Sequence, residues 1–342
     1  MKWMKRISIW IVVSLAIQGS VLFYLDHYFL ATDSQVVSKK VEEDVEDKIK
    51  NIDIIVPENA ENISVSYDAK YLSYYEDDKL KIVDCKDGSI KDVDGEMETK
   101  ISFYEWLPDR NRVLLVEKKS DDESSNLVLY SYDVTKEKKV KIKDLAWADT
   151  KAGVQDIEIS ILTGLTYVRV ASNSGKSSIY RIDRMGTMTK TTTVPNFISN
   201  IGLVRHKDKL VYEGLVYNTI YVTGQYEPIK IKDTDKLTLI GTDDNDNVYI
   251  GELEDDKISK IYYGETLEDT EDWKTVKLQT PAEKTELFVS ENSKVYQNDA
   301  LRGVIKEINS GTQTNYQGKF LQLYTKGIVS LIGNKVSFVP FK

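Results

Sequence analysis

The chain has little of what most catalytic and metal chemistry is built from: one cysteine, two histidines and six prolines among 342 residues. The single cysteine, Cys85, excludes an internal disulfide framework. Lying between Asp84 and Lys86 in a strand-like run, it reads as a small strand residue, with no histidine nearby in sequence to make it a nucleophile. His27 and His206 are too few to build a histidine metal cage. His206, flanked by Arg205 and Lys207, reads as a solvated turn residue. No G-x-S-x-G elbow occurs, and helical periodicity is almost absent beyond the amino terminus. A net charge of −9, from 55 acidic and 46 basic residues, argues against a nucleic-acid partner, which needs a cationic face.

Only one long apolar run is present. Lys2, Lys5 and Arg6 lead into Ile7 to Leu25, and Tyr28-Phe29-Leu30-Ala31 prolongs the apolar character. A span needs about 20 apolar residues, whereas the apolar core of a secretory signal ends after roughly 7–15. Here the run continues past Gly19-Ser20 into Val21 to Leu25. Trp3 and Trp10 at one end, with Tyr24 and Tyr28 at the other, suit interfacial belts, and the flanking cations place the amino terminus inside. The expected organisation is a cytoplasmic stub (1–6), an uncleaved transmembrane signal-anchor helix in membrane lipid (7–31), a charged tether (32–51) and an extracytoplasmic body (52–342). Val41, Val45 and Ile49 fall at helical spacing, so a short solvated helix would also fit the tether.

From Ile63 onward, short runs of Tyr, Val, Ile and Thr alternate with clusters of Asp, Asn, Gly and Lys, which is strand and turn chemistry. One motif recurs: a polar turn entering an apolar strand. Asp68-Ala69-Lys70-Tyr71-Leu72-Ser73-Tyr74 aligns with Asp109-Arg110-Asn111-Arg112-Val113-Leu114-Leu115, which Pro108 precedes. Further copies start at Leu165, Asp208, Asp246-Asn247, Asn292 and Gly333-Asn334. The interval centres on roughly 40 residues, the period of a four-stranded propeller blade. The expected fold is therefore all-β, a β-propeller of about seven four-stranded blades preceded by one transmembrane helix.

At Trp106-Leu107-Pro108-Asp109-Arg110-Asn111 and Leu129-Tyr130-Ser131-Tyr132-Asp133-Val134 the chain resembles the repeats of the TolB family and of the amino-terminal propeller of dipeptidyl peptidase IV. The resemblance is strong in the first two copies and implies a scaffold-type propeller. Tyr67 stands where those repeats usually have Pro, and the central copies lack the Pro-Asp pair. The last unit is one strand short, and Ile52 to Val56, bounded by Pro57, is a spare strand upstream. It is expected to pair into the last blade and close the ring.

Other patterns read as turns. Asp243, Asn245, Asn247 and Glu254 match calcium-loop positions 1, 3, 5 and 12, but Val248 stands where the loop needs glycine. Ser174-Gly175-Lys176-Ser177 lacks the earlier glycine of a phosphate loop. Asp121-Asp122-Glu123 and Glu254-Asp255-Asp256 read as solvated loop tips. The 21 tyrosines against eight phenylalanines fit half-buried strand positions, with some left for an interface. No cofactor is expected. The functional expectation is a non-enzymatic scaffold binding a protein or peptide; the alternatives are a sensor or carrier binding a small envelope-derived ligand or glycan in the channel, or a lyase- or cyclase-type enzyme using channel carboxylates.

Overall fold

The computed structural model describes residues 2–24, 53–96, 98–120, 124–147, 149–266 and 269–341. They fall into two units, divided between Lys50 and Asn51. In the first, one α-helix runs from Lys2 to Tyr24, so the basic residues expected as a stub are helical. Large apolar side chains are exposed along it, among them Trp10, Ile11, Leu15, Ile17, Leu22 and Phe23. Ser20 satisfies its hydroxyl by donating to the carbonyl of Ala16. Among the described residues no helix is long and apolar enough to cross a membrane. The expected span runs on through residues 25–31, Tyr28 included, and these, like the tether at 32–51, lie outside the described residues.

The second unit is a seven-bladed β-propeller. Blades 1 to 7 span residues 61–93, 100–147, 153–191, 198–222, 237–282, 287–315 and 319–340, each an antiparallel meander in chain order. Five blades have four strands, and blades 4 and 7 have three. In blade 4 the segment after Val222 returns beside the third strand, where Ile229 N–H donates to the carbonyl of Ile220. In blade 7 the fourth place is taken from the other end of the chain. Ile55 bridges Lys335, Val56 N–H donates to Asn334 O at 2.9 Å, and Val336 N–H donates to Ile54 O at 2.8 Å. The expected closure is present.

Each blade has two buried faces, which explains the strand sequences. Seven apolar clusters among the described residues each lie between two successive blades. Along Arg112–Ser120, Val113 and Leu115 pack toward blade 1, while Leu114 and Val116 pack toward blade 3. A strand buried on both sides is apolar in a continuous run, not in alternation. Cys85 belongs to the cluster between blades 7 and 1, just past the strand Lys79–Asp84. Burial pushes its thiol up to about 12, so it stays protonated and unreactive.

The pairing of first and second strands carries a β-bulge in blades 1, 2, 3, 4, 5 and 7. A bulge bends the strand and leaves one backbone group without a ladder partner. Neighbouring blades also supply partners for N–H groups on the open edge of the first strands. Val65 N–H donates to Gln322 Oε1, and Leu239 N–H donates to Glu213 Oε2.

Candidate functional site

The turns that the repeat predicted are the turns between first and second strands, and they stitch neighbouring blades together. Asp68 accepts from Lys70 N–H and Ser66 Oγ, and its other oxygen accepts from Asn111 of the next blade at 3.2 Å. Pro108 and Asp109 lie inside the loop closed by Leu107 N–H to Arg112 O, and Asp109 pairs with Arg110. Asp208 accepts from Tyr167 of blade 3 at 2.6 Å and from Arg181 at 2.7 Å. The Arg181 bond holds its carboxyl below the usual range. His206 belongs to the same belt, its backbone and Nδ1 both meeting Asp246 of blade 5.

Asp243 shows why the apparent calcium pattern is a turn. Its carboxylate, fully buried, accepts from the backbone of Asn245 and Asn247, the Asn247 amide, Tyr249 and Ser293. Burial pushes this carboxyl up, but those donors prevail and hold it below the usual range. Among the described residues no three His, Cys, Asp or Glu side chains converge to hold a metal ion. Asn334 requires a correction. It lies between Gly327–Ile332 and Lys335–Pro340, the second and third strands of blade 7, not before a second strand. Its carbonyl receives the closing strand. Gly-Asn-Lys before a strand suits any tight hairpin, so the motif carries no label for which hairpin it forms.

A cluster that the sequence reading did not single out lies on the inner strands of blades 2 and 3. Glu105 on Lys100–Trp106 faces Asp156 and Glu158 on Gly153–Ser160. Burial, then the two neighbouring carboxylates, pushes Glu105 well above the usual range, although Ile157 N–H donates to it. Burial raises Asp156 to about 6 against the pull of Arg169, whose Nε is 3.9 Å away. Burial, with Asp156 beside it, raises Glu158 to about 8. The available signal was a charge placed inside otherwise apolar first strands: Phe103-Tyr104-Glu105-Trp106 and Asp156-Ile157-Glu158-Ile159.

These carboxyls tie stability to pH. Their folded-state values lie above the unfolded ones, so the folded chain holds more protons. Their contribution is full at about pH 4 and is lost as pH rises through the folded values. Glu158→Gln should therefore melt like the parent near that acid limit and several degrees higher above pH 8, in melts recorded across pH. A loss of equal size at every pH would overturn this.

Two surface hollows flank blade 2. One, of about 880 Å³, opens toward blade 1 and mixes both signs, with Lys100 already paired to Asp78 at 2.6 Å. The other, of about 540 Å³, opens toward blade 3. Its floor is apolar, with Leu107, Val140, Ile142, Ile159 and Ile161, and its rim carries Arg110, Arg112, Lys136 and Lys138 around the carboxylate of Asp133. Blade 2 lines it with the start of its outer strand, Lys138–Trp147, and blade 3 with the end of its first strand, Gly153–Ser160, and the turn through Gly164. Lys143 Nζ reaches Gly186 O of blade 3 at 2.5 Å. Blade 2 projects beyond that contact, leaving Val140 half exposed.

No protein-family model matches the sequence, and no curated protein matches it. Solved structures do match in fold. A chain of the mitotic checkpoint complex is 11% identical with a TM-score of 0.52, covering 85% of this chain and 93% of its own. The β-propeller domain of the trilobed protease from Pyrococcus furiosus, described as having an open velcro topology, is 11% identical with a TM-score of 0.50, over 82% and 92%. TolB from Acinetobacter baumannii is 14% identical with a TM-score of 0.38 over 65% of this chain and 55% of that one, an overlay too loose to argue from. At such identities the matches establish the propeller fold alone.

The groove is distinct from the carboxyl cluster in chemistry. The cluster stores protons among half-buried carboxyls, whereas the groove presents open apolar area beside cationic groups, the combination that protein recognition uses.

Proposed function

We propose that this protein is a membrane-anchored, extracytoplasmic propeller that serves without catalysis as a docking scaffold for a protein or peptide. The observation that carries the docking role is the groove between blades 2 and 3. It is an uncovered part of a sheet face on a ring whose blades are locked by apolar clusters and by the belt of turns. A rigid surface loses little conformational entropy on binding. The structural match to a chain of a multiprotein complex supports the same reading.

The anchoring part is supported by the helix Lys2–Tyr24. Its apolar side chains are exposed along its length, and its sequence places Lys2, Lys5 and Arg6 before the apolar run. A helix that is apolar all round needs a protein core or a bilayer to cover it.

The scaffold reading predicts that crosslinking intact cells, followed by capture of the full chain, recovers one stoichiometric protein partner. Repeated recovery of the chain alone would sink it. For the anchor, the chain should stay in the membrane pellet after alkaline washing, and the propeller should be cut by protease added outside the membrane. Release into the wash would reject the anchor without touching the scaffold role.

A further inference from the structure

The charges around the groove are unequal in kind. Arg112 and Asp133 sit opposite one another on adjacent strands of blade 2, and Arg112 Nη2 lies 2.8 Å from Asp133 Oδ2. The other oxygen of Asp133 accepts from Lys136 N–H at 3.1 Å. Asp133 is thus occupied within its own blade. Glu137, the acid between the two rim lysines, is turned the other way and pairs with Lys91 of blade 1 at 2.5 Å. Arg110 is held by Asp109. Lys136 and Lys138 remain exposed, and neither makes a salt bridge among the described residues.

The rim therefore keeps two unneutralised cations, on a chain whose net charge is −9. Beside it lies the apolar patch, where the register puts Val140 opposite Ser131 and Lys138 opposite Asp133. Successive rows thus present a cationic step and then an apolar step. An extended chain with an acidic and a branched apolar side chain two residues apart presents both on one face, at the spacing of these rows.

We propose that this groove receives an extended acidic segment of a partner protein, with carboxylates meeting Lys136 and Lys138 and a branched apolar side chain seated against Val140 and Ile161. This rests on the scaffold reading and names the chemistry of its partner. Exposed charge pairs add modest affinity but strong selection by sign, while the seated apolar group supplies the desolvated contact.

The probe is a fluorescent ten-residue-scale peptide in which Glu and Asp flank a central Leu-Val pair, titrated by anisotropy onto the full chain in detergent. The acidic peptide should bind, weaken with salt, and lose about tenfold or more in affinity on Lys136→Glu/Lys138→Glu. Val140→Asp should weaken it comparably. The same charge change made on blade 5 and its preceding loop, Lys232→Glu/Lys277→Glu, should leave binding intact. All these positions are exposed, so unchanged melts will show that the variants fold. Equal binding of a peptide with Gln and Asn in place of its acids, or an unaffected Lys136→Glu/Lys138→Glu, would overturn the proposal. So would binding to phosphatidylserine vesicles in place of the peptide. Capture of a protein partner that survives Lys136→Glu/Lys138→Glu would reject this groove while leaving the scaffold reading standing.

Discussion

A chain starting at Glu58 is expected to melt more than about 10 °C below one starting at Asn51, both lacking the helix so that only closure differs. The lost segment buries Ile54 and Val56, at 5% and 1% exposure, in the cluster shared by blades 7 and 1. Burying such side chains is worth about 1.5–3 kcal/mol each, and the two backbone hydrogen bonds add about 1 kcal/mol apiece. A change of 1 kcal/mol moves the midpoint of a domain of this class by about 2–4 °C. The Asp53–Lys335 contact at 2.5 Å is exposed on both sides and adds little. Truncation also bares the edge of Lys335–Pro340, so the shortened chain should aggregate more readily on heating. Differential scanning calorimetry checks the midpoint; if it does not move, closure by residues 53–56 contributes nothing and the ring is held by its other contacts.

Glu213→Ala should be among the most damaging single changes in the propeller. Glu213 lies on the second strand of blade 4, 3% exposed, and its carboxylate gathers groups from beyond that blade. Thr238 Oγ1 donates at 3.0 Å, Leu239 N–H at 3.2 Å and Lys284 Nζ at 2.6 Å. Leu239 N–H, like that of Leu237, points away from the second strand of blade 5, so it has no ladder partner to return to. Removing one member of a buried, hydrogen-bonded ion pair costs about 3–5 kcal/mol. The lower part of that range is expected, because the Lys284 side chain keeps about a third of its exposure. Glu213→Gln preserves an acceptor for Leu239 and Thr238 and should cost less. Equilibrium denaturation of the two variants checks the order; equal losses would mean that the charge on Glu213, not its hydrogen bonding to Thr238 and Leu239, holds blades 4 and 5 together.

Much of the architecture was legible because blade formation is local. The turn at Asp68, Asp109, Asp208 and Asn247 comes with its apolar strand, and a meander needs only successive hairpins. Even the closing strand could be read, since Ile54 and Val56 stood unclaimed while blade 7 lacked a strand. What misled was Asn334, whose hairpin chemistry is the same whichever strands it joins. Tyrosine was read as half buried, yet Tyr74, Tyr167, Tyr212 and Tyr249 are almost fully enclosed. In Tyr167 the hydroxyl is satisfied by Asp208 of the next blade, a contact that depends on which turn lies beside the ring, whereas in Tyr249 it is satisfied by Asp243 of its own hairpin.

The amino-acid order by itself determined the strands, their turns, the number of repeats and the scarcity of histidine and cysteine chemistry, because each depends on residues close in the chain. Tertiary structure alone decided which carboxylates meet and where the surface stays open. Glu105 reaches Asp156 and Glu158 only because the inner strands of blades 2 and 3 lie side by side. The groove brings the start of the outer strand of blade 2 beside the turn after the first strand of blade 3, segments about twenty residues apart in the chain. Neither segment records its neighbour, and burial, charge coupling and exposed area all follow from that neighbour.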